Sequence, residues 1–137
     1  MDLGFVSNAV ALQDDGLLPP HPWFLLELDS PGWGAGPQVA PATTANYESL
    51  ASALRETFSD ARWAAHGQQT TGYDVLRRAL ADGHHLRVGF EDATVLPNGG
   101  APASNADMVA WAVQIAAGAG RPVATPAEAR GIMDYRA

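Results

Sequence analysis

Arg87-Val88-Gly89-Phe90-Glu91-Asp92 is the segment whose residue types are best suited to chemistry. Read as a short strand, it puts Arg87, Gly89 and Glu91 on one face and Val88 and Phe90 on the other, because side chains alternate at period two. An Arg and a Glu on a buried face are costly unless they pair with each other or bind something. A strand ending in Glu-Asp, with an Arg on the Glu's own face, therefore has the makings of a site. A surface strand carrying an ordinary ion pair accounts equally well for the spacing alone.

Other candidates are weaker. His66 ends a predicted strand, where it would contact a ligand or settle as a hydrogen-bonded loop histidine. His84 and His85 precede the Arg87 strand and read as solvated turn residues. Glu27 and Asp29 share a strand face and would line a site or pair with Arg87 or Arg62. The loop from Pro31 to Gly36 is Gly-rich but lacks the Gly-Lys-Ser/Thr ending of a phosphate loop. Ser7 and Ser104 have no accompanying His-Asp pattern, so no hydrolase triad is indicated.

These residues need elements to hold them. Phe5 to Gln13 reads as a short helix closed by Asp14-Asp15-Gly16. Trp23 to Leu28 is a nearly continuous apolar run between Pro-rich flanks, the mark of a buried strand. Ser30 to Pro41 is a loop by its Gly and Pro content. Ala45 to Phe58 repeats Leu50, Leu54 and Phe58 at four-residue spacing, which predicts a helix. Arg62 to His66 is a strand, Tyr73 to Ala81 a helix stopped by Gly83, and Leu86 to Phe90 the third strand. Ser104 with Asp107 predicts a capped helix running to about Ala119, ended by Gly120. Thr125-Pro126-Ala127-Glu128 opens a last short helix. Helices alternating with strands imply a parallel sheet with crossover helices, hence an α/β fold.

Composition narrows the class. The 137 residues suit one domain, which would bury about 68% of its unfolded surface. The chain has no run of 18 apolar residues, so no membrane span is expected. Met1 to Phe5 lacks the charged and apolar regions of a signal peptide. Without Cys there is no disulfide framework and no thiolate metal site. Cytoplasmic residence is the default expectation. A net charge of −7 disfavours nucleic acid, which is bound through Lys and Arg neutralising phosphates.

The chain resembles the beta-keto acid cleavage enzymes, the family that includes 3-keto-5-aminohexanoate cleavage enzymes. The likeness rests on Arg87 to Asp92, Leu96-Pro97-Asn98-Gly99, Ser104-Asn105-Ala106 and Gly120 through Arg130. Weaker echoes lie at Asp2-Leu3-Gly4, Pro31-Gly32, Pro41-Ala42-Thr43 and Trp63. It implies a TIM (β/α)8 barrel, typically about 250 residues. This chain would be its C-terminal half, with strands six to eight and their helices. It also implies an activity: a beta-keto acid reacts with acetyl-CoA to give acetoacetate and a new acyl-CoA. A divalent metal, usually zinc, would be held by Glu91 and by a His-x-His from early in the barrel. By the same resemblance Asp92 transfers a proton, and Arg87 binds substrate and supports Asp92.

The chain departs from the family pattern. None of His21, His66, His84 and His85 forms a His-x-His. Where the family often has Gly-Arg-His-Gln, this chain has Gly67-Gln68-Gln69-Thr70, keeping only the glycine. Two readings follow: a half-enzyme inactive without its N-terminal half, or a non-catalytic half-barrel. Either would assemble with itself or with an N-terminal half, because open sheet edges need covering.

Overall fold

The computed structural model describes residues 3–28, 40–102 and 104–133. Asp29 and the Gly-rich loop from Pro31 to Gly36 lie outside the described residues. The elements run α1 (Leu3–Asp14), β1 (Trp23–Leu28), α2 (Thr44–Thr57), β2 (Arg62–Gly67), α3 (Gln69–Ala81), β3 (His85–Leu86), α4 (Asn105–Gly118) and α5 (Pro126–Ile132). This is the predicted alternation. The three strands form one parallel sheet in the order β1-β2-β3, so the chain is α/β.

Register explains which face is core. Phe24, Leu26 and Leu28 pair with Trp63, Ala65 and Gly67, and these side chains are buried under the helices. Tyr47, Leu50, Ala51 and Leu54 of α2 and Val75, Leu76 and Ala79 of α3 fill the same core. The Trp63 indole N–H donates to the Tyr47 hydroxyl at 3.3 Å, which satisfies a polar group that full burial would otherwise penalise. The opposite face carries Trp23, Leu25 and Glu27 on β1 against Arg62, Ala64 and His66 on β2. It is less covered, apart from His66.

The helix ends obey their sequence signals. Ser104 and Asp107 complete a capping box, as do Thr125 and Glu128 with Pro126 in the first turn. Gly83 adopts φ +89° after α3 and Gly120 φ +68° after α4, the left-handed turn that favours glycine at a helix stop.

Two expectations are corrected. The third strand ends at Leu86 instead of Phe90. Among the described residues, only the Arg87 N–H bond to the Ala65 carbonyl, 2.9 Å, continues the ladder. Beyond it the backbone is recruited elsewhere: the Asp92 N–H donates to the Gly89 carbonyl at 3.0 Å, and the Phe90 N–H donates to Asn105 Oδ1 at 2.9 Å. Glu91 and Asp92 therefore sit in a turn and not on a strand. His84 and His85 are not solvated turn residues either. His84 stacks on Trp63 with ring centroids 3.4 Å apart, and His85 packs on Trp23 at 4.9 Å.

Candidate active site

The C-terminal ends of β1 and β2, with the turn after β3, bring five charged or titratable side chains into one row. Glu27 and His66 are cross-strand partners in register, so they share a face. His85 pairs with Ala64 and Leu86 with Ala65, which by alternation puts Arg87 on the His66 face. Asp92 then folds back toward it through the Gly89–Asp92 turn.

His66 and Asp92 are the buried centre, at 1% and 3% exposure. His66 Nε2 lies 2.6 Å from Asp92 Oδ1. Arg87 Nη2 is 3.6 Å from the same oxygen and 3.0 Å from Glu91 Oε2. Glu27 Oε1 stands 3.8 Å from His66 Nδ1. The 2.6 Å approach is close but off-line. Neither ring nitrogen of His66 and neither carboxylate oxygen of Asp92 completes a hydrogen bond, so the contact is one of proximity. Buried polar groups left in this condition are rare in proteins and concentrate at functional sites.

The main chain around Asp92 is firmly placed. Its carbonyl accepts the Gln69 N–H at 2.8 Å. Gln69 is left-handed at φ +58°, a conformation that costs a non-glycine residue free energy and that clusters at functional sites. Gly67 and Gly72 pack so closely that a Cβ on Gly72 would stand 2.1 Å from the Gly67 carbonyl oxygen. This contact lets α3 start directly under the strand end. Tyr73, on the first turns of α3, donates to the Val95 carbonyl at 2.8 Å. Burial, helped by the nearby Asp92 carboxylate, pushes its phenol above the usual range.

The sequence-predicted residues meet: Arg87, Glu91 and Asp92 are within one network. His66, offered there as a strand-end or loop histidine, is its buried hub. Its signal was its place one residue before Gly67 in a strand whose alternate residues face the Arg87 side. Glu27 joins His66 and not Arg87. Arg62 instead reaches the Ile132 carbonyl.

A divalent metal has no complete home in these side chains. Among the described residues no three His, Cys, Asp or Glu groups gather as a metal site. Glu91 is exposed, with its side chain at 60%, and Arg87 occupies one of its oxygens. The donor set amounts to one carboxylate, short of the three protein ligands of a catalytic zinc.

The model of the beta-keto acid cleavage enzyme family matches residues 1–134. A 3-keto-5-aminohexanoate cleavage enzyme from Fusobacterium nucleatum subsp. nucleatum is 28% identical over 137 residues, covering 98% of this chain and 46% of that protein. A 3-oxoadipate:acetyl-CoA acetyltransferase from Cupriavidus necator is 30% identical over 134 residues, covering 96% of this chain and 44% of that protein. Another 3-keto-5-aminohexanoate cleavage enzyme, from Acetoanaerobium sticklandii, is 43% identical over 61 residues, 44% of this chain and 22% of that protein. The chain thus spans less than half the length of these relatives. With its Arg-Glu-Asp network at the strand ends and a family match over nearly its full length, it belongs to the beta-keto acid cleavage enzyme family.

Proposed function

We propose that this chain is the C-terminal half of a (β/α)8 barrel. Completed by an N-terminal half, it would serve cleavage of a beta-keto acid with acetyl-CoA to acetoacetate and an acyl-CoA. The observation that carries this reading is the buried Asp92 carboxylate, approached by Arg87 at the C-terminal end of a parallel sheet. Barrel enzymes place their chemistry at that end.

In this reading Asp92 takes and returns the proton that moves when the carbon–carbon bond forms and breaks. A carboxylate held out of water keeps its proton exchange directed at substrate. Arg87 orients Asp92 and, being partly exposed, still offers its planar fork to a substrate carboxylate. Glu91 would give one ligand to a divalent metal, zinc in the family pattern, whose other ligands come from the N-terminal half. When bound, such a metal polarises the carbonyl on which enolate charge develops. The names of the relatives from Fusobacterium nucleatum and Cupriavidus necator support the substrate class and acetyl-CoA. A non-catalytic half-barrel acting through self-assembly is the second reading, favoured by the exposed Val109 and Val113 on α4.

The test is acetoacetate formation by the barrel reconstituted with an N-terminal half, supplied in trans or fused. Asp92→Asn is expected to lose about 10²–10⁴-fold in turnover. Arg87→Lys is expected to be poorly tolerated, because an ammonium cannot form the two-pronged contact. Wild-type turnover by Asp92→Asn would remove Asp92 from the mechanism.

A further inference from the structure

We propose that His66 is a positioning residue for Asp92, holding its carboxylate from within the sheet while Arg87 holds it from the open side. The proposal rests on the reading above that Asp92 handles the proton. It is carried by the convergence of two nitrogens on one atom: His66 Nε2 at 2.6 Å and Arg87 Nη2 at 3.6 Å from Asp92 Oδ1. The backbone of Asp92 is already pinned on both sides, through its N–H to Gly89 and its carbonyl from Gln69. Side-chain rotation is the freedom that remains, and His66 and Arg87 flank the carboxylate that would turn.

An imidazole at this point is almost wholly buried. The neighbouring β2 positions are alanine and glycine, and a buried polar ring is costly without a partner. A carboxylate oxygen lies near each ring nitrogen. The approach is 2.6 Å to Asp92 and 3.8 Å to Glu27, so Nε2 is the ring nitrogen that faces Asp92. Glu27, on the adjacent strand and half exposed, lies behind the ring and resists its rotation away from Asp92.

Two measurements on different footings decide this. In the purified full chain, nitrogen-15 NMR of the histidine rings is expected to find His66 Nε2 protonated. Asp92→Asn is expected to move the His66 ring signals and leave those of His21, His84 and His85 in place. A bare Nε2, or ring signals indifferent to Asp92→Asn, overturns the proposal. In the reconstituted barrel, His66→Leu keeps the volume and removes the donor. It is expected to lower kcat about 10²-fold with KM unchanged, the effect of a misplaced reacting group. His66→Gln keeps an N–H near the Nε2 position and is expected to recover part of the loss. A Leu variant with wild-type kcat overturns the proposal, as does a Gln variant no better than Leu. If the reconstituted barrel is inactive even with His66 intact, the functional reading falls. The ring spectra still decide whether His66 holds Asp92.

Discussion

His84 is held well away from its ordinary titration range. Burial against Trp63, then the Arg55 guanidinium, lower its pKa from 6.5 to about 4, with Asp82 pulling the other way. Arg55 also lies 5.2 Å over the Trp63 ring. The folded protein therefore refuses a proton that the unfolded chain accepts below pH 6.5. The stability at stake is intact above that pH and is lost as pH falls toward 4. After a discount for partial exposure, the loss is about 1–2 kcal/mol. Urea unfolding at pH 7 and pH 4.5 should register it, and His84→Gln should flatten the difference. An equal pH slope in the variant would assign the effect elsewhere. Little of this was legible from sequence: a His-His pair after Ala-Asp-Gly looks like an exposed turn. The stack exists because Trp63, twenty-one positions earlier, points at the same spot from β2. Asp92 and Arg87 could be singled out from their motif, whereas His66 joins the candidate site only through the register that sets it beside Glu27 and near Asp92.

Among the elements, the junction of β2 and α3 leaves no room for a side chain at Gly67 or Gly72. Gly72→Ala would drive a methyl into the Gly67 carbonyl, and neither backbone can retreat without moving a strand or a helix. The expected cost is about 2–3 kcal/mol, the upper range for overpacking, read from the unfolding midpoint. Gln69→Gly should behave oppositely and stay within about 1 kcal/mol of wild type, because relief of the left-handed residue offsets the added chain entropy. A Gly72→Ala variant as stable as the parent would mean the contact is looser than described. This junction also shows where local sequence signals give out. Helices α4 and α5 were legible because Ser104, Asp107, Thr125, Pro126 and Glu128 are capping residues whose effect is local. Helix α3 begins at Gln69, four residues before the expected Tyr73. Its cap, Gln68, makes no side-chain capping bond, and packing of Gly72 on Gly67 sets its start instead. The third strand is short for a similar reason: Asn105, fifteen residues on, takes the Phe90 N–H that a longer ladder would need.

For the whole molecule, apolar surface outruns the cover available. Helix α4 is apolar nearly all round, yet only Met108 is buried on it, and a helix of that kind belongs in an interior. Val109, Val113 and Val123 are exposed beside a cleft of about 540 Å³ against β3. The face of the sheet bearing Trp23 and Leu25 is only partly covered. Light scattering on the purified chain should therefore find assemblies larger than the 14.4 kDa protomer. A cooperative, soluble monomer would show that these faces tolerate water. The α/β alternation was legible because each strand and helix carries its own periodicity. How the open face and edges of the sheet are covered was not, because no local periodicity reports it.

The Trp63–His84 stack also gives the molecule an optical voice. An excited indole loses its energy readily to an imidazolium lying against its face, and much less to a neutral imidazole. Acidification should therefore dim Trp63 emission while the fold still stands, and a Trp63-only variant would read the charge on His84 as a fluorescence titration. Because Trp63 also bridges α2 through Tyr47, the same signal should mark the moment at which helix and sheet come together during folding.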